Sequence, residues 1–228
     1  EIGMDASEVR RTNLLAPDAF PYTTPTGTSM DSGDYEGSLD RALAAADYAG
    51  LRAEQQRRRE AGDLVHMGIG VATYVEITGF GGSEYGQVRL RSDGTVLAST
   101  GATPIGTGHH TTWAMIVADR LGVPLDSIEV FHGDTEVIPS GSTTGGSRSV
   151  QIAGSAMADA SEKLVDLARE AAADLLEAAP GDVVLDRERG AFHVAGTPSV
   201  ARSWAEIATA ADEELAGLSD LSLDGATF

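Results

Sequence analysis

Apolar positions along this chain recur with two periods, near 3.6 and near 2, and the switches between them outline its elements. A first helical piece runs from Met4 to Leu15, with Asp5 placed to cap it. Pro17, Pro21 and Pro25 then forbid regular structure, so 16–27 reads as an extended arm. Leu39, Leu43, Ala46 and Ala49 stand at helical spacing, and one helix is expected over Ser38–Ala61. Its last turns carry Arg57, Arg58 and Arg59, read as a solvated helix end. Met67–Thr78 is apolar and β-branched, which predicts a strand. Tyr85–Arg91 alternates and predicts a second, Ser92-Asp93-Gly94 a hairpin turn, and Thr95–Thr103 a third. A helix opening at Thr111 or Thr112 should stop at Leu121, before Gly122 and Pro124, with Ser127–His132 a strand beyond it. Ile152, Met157, Ala160, Leu164, Leu167, Ala171 and Leu175 line one face of a long helix over Val150–Ala178. Short strands at Val183–Leu185 and Ala191–Val194, a helix over Ser203–Glu214 and a strand or tail over Ser219–Phe228 complete the pattern.

Strands that run together, interleaved with helices covering one face, predict an α+β fold: small mixed or antiparallel sheets layered with helices. The expected organisation is an extended arm with a short helix over 1–37, then an α+β domain over 38–228.

Composition narrows the function classes. At 228 residues and 42% hydrophobic the chain can bury a sizeable core, and with 5% aromatics that core must be aliphatic and small. No apolar run approaches the roughly 20 residues of a membrane helix. With 35 acidic against 16 basic residues the formal charge is −19, which disfavours a phosphate-neutralising nucleic-acid surface. The absence of cysteine excludes disulfides and thiolate metal sites, and a cytoplasmic setting is the simpler expectation.

Two glycine loops carry the candidate chemistry. Every residue from Ser140 to Ser149 is glycine, hydroxyl-bearing or arginine, and the long helix follows at once. Such a loop brings backbone N–H groups, hydroxyls and the Arg148 guanidinium to a helix N-terminus, where the dipole favours an anion. A flexible linker is the alternative reading. Ile105-Gly-Thr-Gly-His-His-Thr-Thr112 likewise joins a strand to a helix. Together the two suit a ligand with a diphosphate and a polar ring system, although neither is a Rossmann or Walker loop.

His109, His110, His132 and Asp134 raise a metal-site reading. Adjacent helical histidines point about 100° apart, however, and no HxxxH or HExxH spacing occurs, so capping and ligand hydrogen bonding are the expectation. A Gly-x-Ser-x-Gly elbow for serine chemistry is also missing. Glu76 and Glu84 read as surface carboxylates at strand ends.

The chain resembles the molybdenum-binding subunit of the xanthine dehydrogenase family, most closely the large subunit of aerobic carbon monoxide dehydrogenases. The resemblance rests on Glu8-Val-Arg-Arg-Thr-Asn13, Phe20-Pro-Tyr-Thr-Thr-Pro-Thr-Gly27, Asp31-Ser-Gly-Asp-Tyr35, Gly106-Thr-Gly-His109, Leu121-Gly-Val-Pro124, His132-Gly-Asp-Thr135 and Gly145-Gly-Ser-Arg-Ser149, in that order. It implies that the two loops hold molybdopterin cytosine dinucleotide with its molybdenum. Gly106, Thr107, Gly108 and His109 would lie along the pterin and diphosphate. Thr144, Gly145, Gly146, Ser147, Arg148 and Ser149 would approach the metal side. The family carries glutamine where Thr107 stands, and its catalytic glutamate and substrate-loop cysteine match nothing here, so no catalytic residue or metal ligand is assigned. The chain then reads as an internal fragment of an oxidoreductase that oxidises carbon monoxide or a related small substrate with oxygen from water. Alone it is expected to be inactive. Its implied partners are the remainder of the subunit, against which the prolyl arm would lie, and iron–sulfur and FAD subunits, with a homodimer a further possibility. A non-catalytic scaffold of the same fold and a nucleotide-binding hydrolase are the competing readings.

Overall fold

The computed structural model describes residues 2–223 apart from Ile77, Phe80, Thr143, Asp212 and Glu213. Its contacts group the chain into two compact units, the first running to Glu76.

The first unit is helical. Helix α1 (Ala6–Asn13) starts at Asp5, whose carboxylate accepts the Ser7 N–H at 2.8 Å and the Tyr48 hydroxyl at 3.0 Å. The Ser7 bonds, helped by Tyr48 and the Arg52 charge, hold the Asp5 carboxyl below its usual range, while burial and the Asp5 carboxylate raise the Tyr48 hydroxyl above its own. The prolyl stretch is more ordered than expected. A 3₁₀ turn over Pro17–Ala19 precedes a two-stranded ladder in which β1 (Tyr22–Thr23) pairs antiparallel with β2 (Ser29–Met30). The single helix expected over 38–61 is two, α2 (Tyr35–Ala45) and α3 (Tyr48–Ala61). Asp47 breaks it: its backbone is left-handed (φ 47°) and its side chain caps α3 through the Gly50 N–H. The strand expected over 67–78 does not form. Among the described residues no neighbouring strand offers it a ladder, and 67–76 is coil pinned where Gln55 Nε2 donates to the Met67 carbonyl at 2.8 Å. Ile77 lies outside the described residues.

The second unit holds the sheets. Strands β3 (Gly82–Leu90), β4 (Val96–Thr100), β5 (Ile128–Phe131) and β9 (Leu215–Leu223) form one mixed sheet in the order β5-β4-β3-β9, with only β4 and β5 parallel. The last strand begins four positions before the expected Ser219 because its nine residues pair with the whole of β3, and residues 224–228 lie outside the described set. That pairing also ends helix α6 (Trp204–Ala210) short of Glu214. A second antiparallel sheet contains β6 (Val183–Asp186), β7 (Ala191–Val194) and β8 (Ala201–Ser203); the third strand carries too little alternation to be read from sequence.

Helix α5 (Ser155–Leu176) lies across the mixed sheet, entered through a π-helical turn over Val150–Gly154. Glycines make the close approach possible. A Cβ on Gly217 of β9 would fall 1.9 Å from the Ala160 carbonyl oxygen, and one on Gly86 of β3 would fall 2.9 Å from the Ala156 main chain. Helix α4 (His109–Leu121) packs beside α5, and Val88, Val96, Trp113, Val117, Met157 and Leu164 are fully buried between helices and sheet. Among the described residues no helix is long and apolar enough to cross a membrane.

Candidate functional site

Both glycine loops leave the sheet from the same side, at the carboxyl ends of the parallel pair β4 and β5. The first loop follows β4. Gly106 (φ 92°) and Gly108 (φ 78°) take left-handed conformations there, and nothing lies within 4 Å of where their Cβ atoms would be. Gly106, Thr107 and Gly108 are exposed. Helix α4 begins at His109, two or three residues before the expected Thr111 or Thr112, and no side chain caps it. Its leading N–H groups therefore keep the positive end of the helix dipole open toward the loop.

The second loop is held from beneath. Ser142 donates both its N–H, at 3.1 Å, and its hydroxyl to the Glu84 carboxylate. Glu84 is 2% exposed, so it is not the surface carboxylate its strand-end position suggested. Arg148 also turns inward, 7% exposed, with Nη2 3.8 Å from Glu84 Oε1 and 2.6 Å from where a Gly82 Cβ would sit. Gly101 and Gly141 cross at a separation that admits no Cβ on either. Thr144 Oγ1 donates to the Thr103 carbonyl at 2.7 Å and so ties the second loop to the segment after β4. Further along, the Gly146 carbonyl accepts the Gly79 N–H at 3.3 Å, and Ser147 takes a left-handed φ of 53°. Gly145 is exposed, with open space where a Cβ would be, and Ser149 leads into the π turn with no side-chain cap bond. Gly154 of that turn packs against Trp113 and Ile116, which sets the starts of α4 and α5 side by side.

The histidines divide. His109 is buried with its ring 5.0 Å from that of Trp113, and burial, aided by neighbouring His110, pushes its pKa down. It therefore stays a neutral imidazole at neutral pH. His110 turns across to His132 at the end of β5, with Nε2 atoms 3.1 Å apart. Asp134 stands apart from them, its carboxylate accepting the Glu136 N–H at 2.9 Å. No group of three or more metal-ligating side chains converges among the described residues.

The sequence reading put Glu84 at the surface, and it set a metal reading of His110 and His132 aside in favour of capping and ligand hydrogen bonding. Both Glu84–Ser142 and His110–His132 are long-range pairings carried by the order of strands, and no local motif signals either. What the assembled site offers is two uncapped helix starts, backbone donors and open glycines around an outward face, with its one arginine committed inward.

Comparison with known proteins places this arrangement. The sequence model of the molybdopterin cofactor-binding domain family matches residues 41–225. The carbon monoxide dehydrogenase large chain of Hydrogenophaga pseudoflava is 39% identical over 220 residues, covering 91% of this chain and 27% of the relative. The gamma subunit of the 6-hydroxypseudooxynicotine dehydrogenase complex of Paenarthrobacter nicotinovorans is 37% identical over 217 residues, covering 93% and 27%. Among solved structures, carbon monoxide dehydrogenase from Oligotropha carboxidovorans superposes with a TM-score of 0.65 at 33% identity, covering 95% of this chain and 30% of that one. Quinoline 2-oxidoreductase from Pseudomonas putida 86 superposes at 0.67 with 27% identity, covering 96% and 30%. The chain thus spans about a quarter of the length of the curated relatives it matches. On these matches, the chain belongs to the molybdopterin cofactor-binding domain family.

Proposed function

We propose that this chain is the cofactor-gripping part of a carbon monoxide dehydrogenase-like molybdenum hydroxylase, and that its ligand is molybdopterin cytosine dinucleotide. The observation that carries the reading is the pair of glycine loops, both rooted at the ends of β4 and β5 and joined by Thr144, each opening an uncapped helix start. The residues fit an anionic dinucleotide: Gly106, Gly108 and Gly145 leave open space for close approach, and the helix starts present N–H donors. In this reading Gly106, Thr107, Gly108 and His109 line the pterin and diphosphate, with His109 a neutral hydrogen-bonding ring. Thr144, Gly145, Gly146, Ser147 and Ser149 line the opposite side, and Arg148 shapes the loop from below. The bound cofactor supplies oxygen-atom transfer and removal of electrons, chemistry that no side chain of this chain provides.

The arm over 1–37 and the domain over 38–228 would together complete a longer subunit working with iron–sulfur and FAD subunits in the cytoplasm. There carbon monoxide or a related small molecule is oxidised with oxygen from water, and the isolated chain is inactive. The test is molybdenum and releasable CMP in protein purified from a host that makes the cytosine dinucleotide form, for this chain and for one extended at both ends. Stoichiometric molybdenum and CMP in either supports the reading. Their absence from both leaves the non-catalytic scaffold instead.

A further inference from the structure

His110 and His132 are 22 residues apart in sequence, and the structure sets their Nε2 edges opposite each other just beyond β5. Their Nε2 atoms are 3.1 Å apart, their ring centres 4.9 Å apart, and their planes cross at 69°. An imidazole centre lies about 1.15 Å behind Nε2, so a straight N–H···N bond would hold the centres about 5.4 Å apart. The contact is therefore bent, and ring axes drawn to converge symmetrically at these spacings meet about 2.0 Å beyond each nitrogen at about 100°, a geometry that a bent N–H···N bond shares. Those are the bond length and angle of two imidazoles on one tetrahedral zinc ion.

We propose that His110 and His132 form a two-imidazole site for a divalent first-row cation of the zinc class, with the remaining positions open to water or a ligand oxygen. The residue types suit such an ion, for which imidazole is a preferred donor. His109 takes no part, because its ring is buried against Trp113. The net charge of −19 raises the local concentration of cations around the chain. The ion would be additional to any molybdenum, and the site does not depend on the cofactor reading.

The test titrates Zn²⁺ alone into the metal-free 228-residue chain by calorimetry. One equivalent should bind with a dissociation constant on the order of 10 μM. His110→Ala and His132→Ala should each weaken it by about tenfold or more, while His66→Ala changes nothing. X-ray absorption should then show two nitrogen ligands at about 2.0 Å. Should either alanine variant misfold, imidazole NMR of the parent chain decides: the His110 and His132 rings must respond together to Zn²⁺, and those of His66 and His193 must not. Binding that survives both alanine variants, affinity weaker than about 1 mM, or a response confined to other histidines overturns the proposal.

Discussion

Glu84→Gln probes the packing beneath the second glycine loop most directly. The wild-type carboxylate is 2% exposed, accepts the Ser142 N–H and hydroxyl, and lies 3.8 Å from Arg148 Nη2. At that distance and an effective dielectric of about 20 the charge attraction is about 4 kcal/mol, much of it offset by the desolvation of both ions. The substitution keeps the shape and removes the buried negative charge that Ser142 and Arg148 face. Breaking one side of a buried pair costs about 3 kcal/mol or more, which in a chain of this size lowers the melting temperature by roughly 6–12 °C. Ser142→Ala calibrates the scale. It deletes the hydroxyl but keeps the N–H, and should cost about 1 kcal/mol. Glu84→Gln combined with Arg148→Met should then be less damaging than the two single changes summed, by about 1–3 kcal/mol. Urea denaturation gives the free energies, and hydrogen exchange at the Ser142 amide reports the loop. A Glu84→Gln variant within about 0.5 kcal/mol of the parent, with unchanged exchange at Ser142, would refute the buried anchor.

Two further outcomes follow from the packing and the charges. Gly217→Ala drives a methyl to 1.9 Å from the Ala160 carbonyl oxygen and should destabilise by about 3 kcal/mol as β9 and α5 are forced apart. Gly181→Ala, with open space at its Cβ, should be near neutral in the same melts. His109→Phe should flatten the acid side of the stability profile. Burial holds the folded pKa below the ordinary 6.5, so the unfolded chain binds more protons as pH falls through that value and stability declines from there down to the folded pKa. Denaturation at about pH 7.5 and about pH 5 should show a smaller difference for the phenylalanine variant, and an unchanged difference would place the imidazole in water.

Where the sequence was legible, the physics was local. Asp5 capping α1, the Asp-Gly turn between β3 and β4, and the Gly122 stop of α4 are decided within a few residues, and each stands where it was read. The misreadings were decided at a distance. The stretch 67–76 has the composition of a strand, but a strand exists only with a neighbour to pair with, and among the described residues none is supplied. The reverse holds at Leu215–Ser219, where weak local signals yield to nine residues of pairing with β3. Asp47 was a third kind of miss. A helical period runs through it, but its side chain can cap a new helix only if the backbone first turns left-handed.

The same distinction bears on how the site could hold an anion. From sequence, Arg148 stands at the mouth of the second loop as the natural counter-charge for a diphosphate. In the fold its guanidinium is 7% exposed and directed at Glu84 on β3, a residue 64 positions earlier that no local pattern could pair with it. A buried arginine opposed by a buried carboxylate contributes little net field to the outward face. The attraction that remains must come from backbone N–H groups at the two helix starts, acting against a chain charge of −19. Fixed dipoles act over short range and only along their axes, so such a cradle would discriminate by fit more than by charge. The buried Glu84 then has a clear physical purpose: it anchors Ser142 and Arg148, and with them the direction in which the donors beside them point.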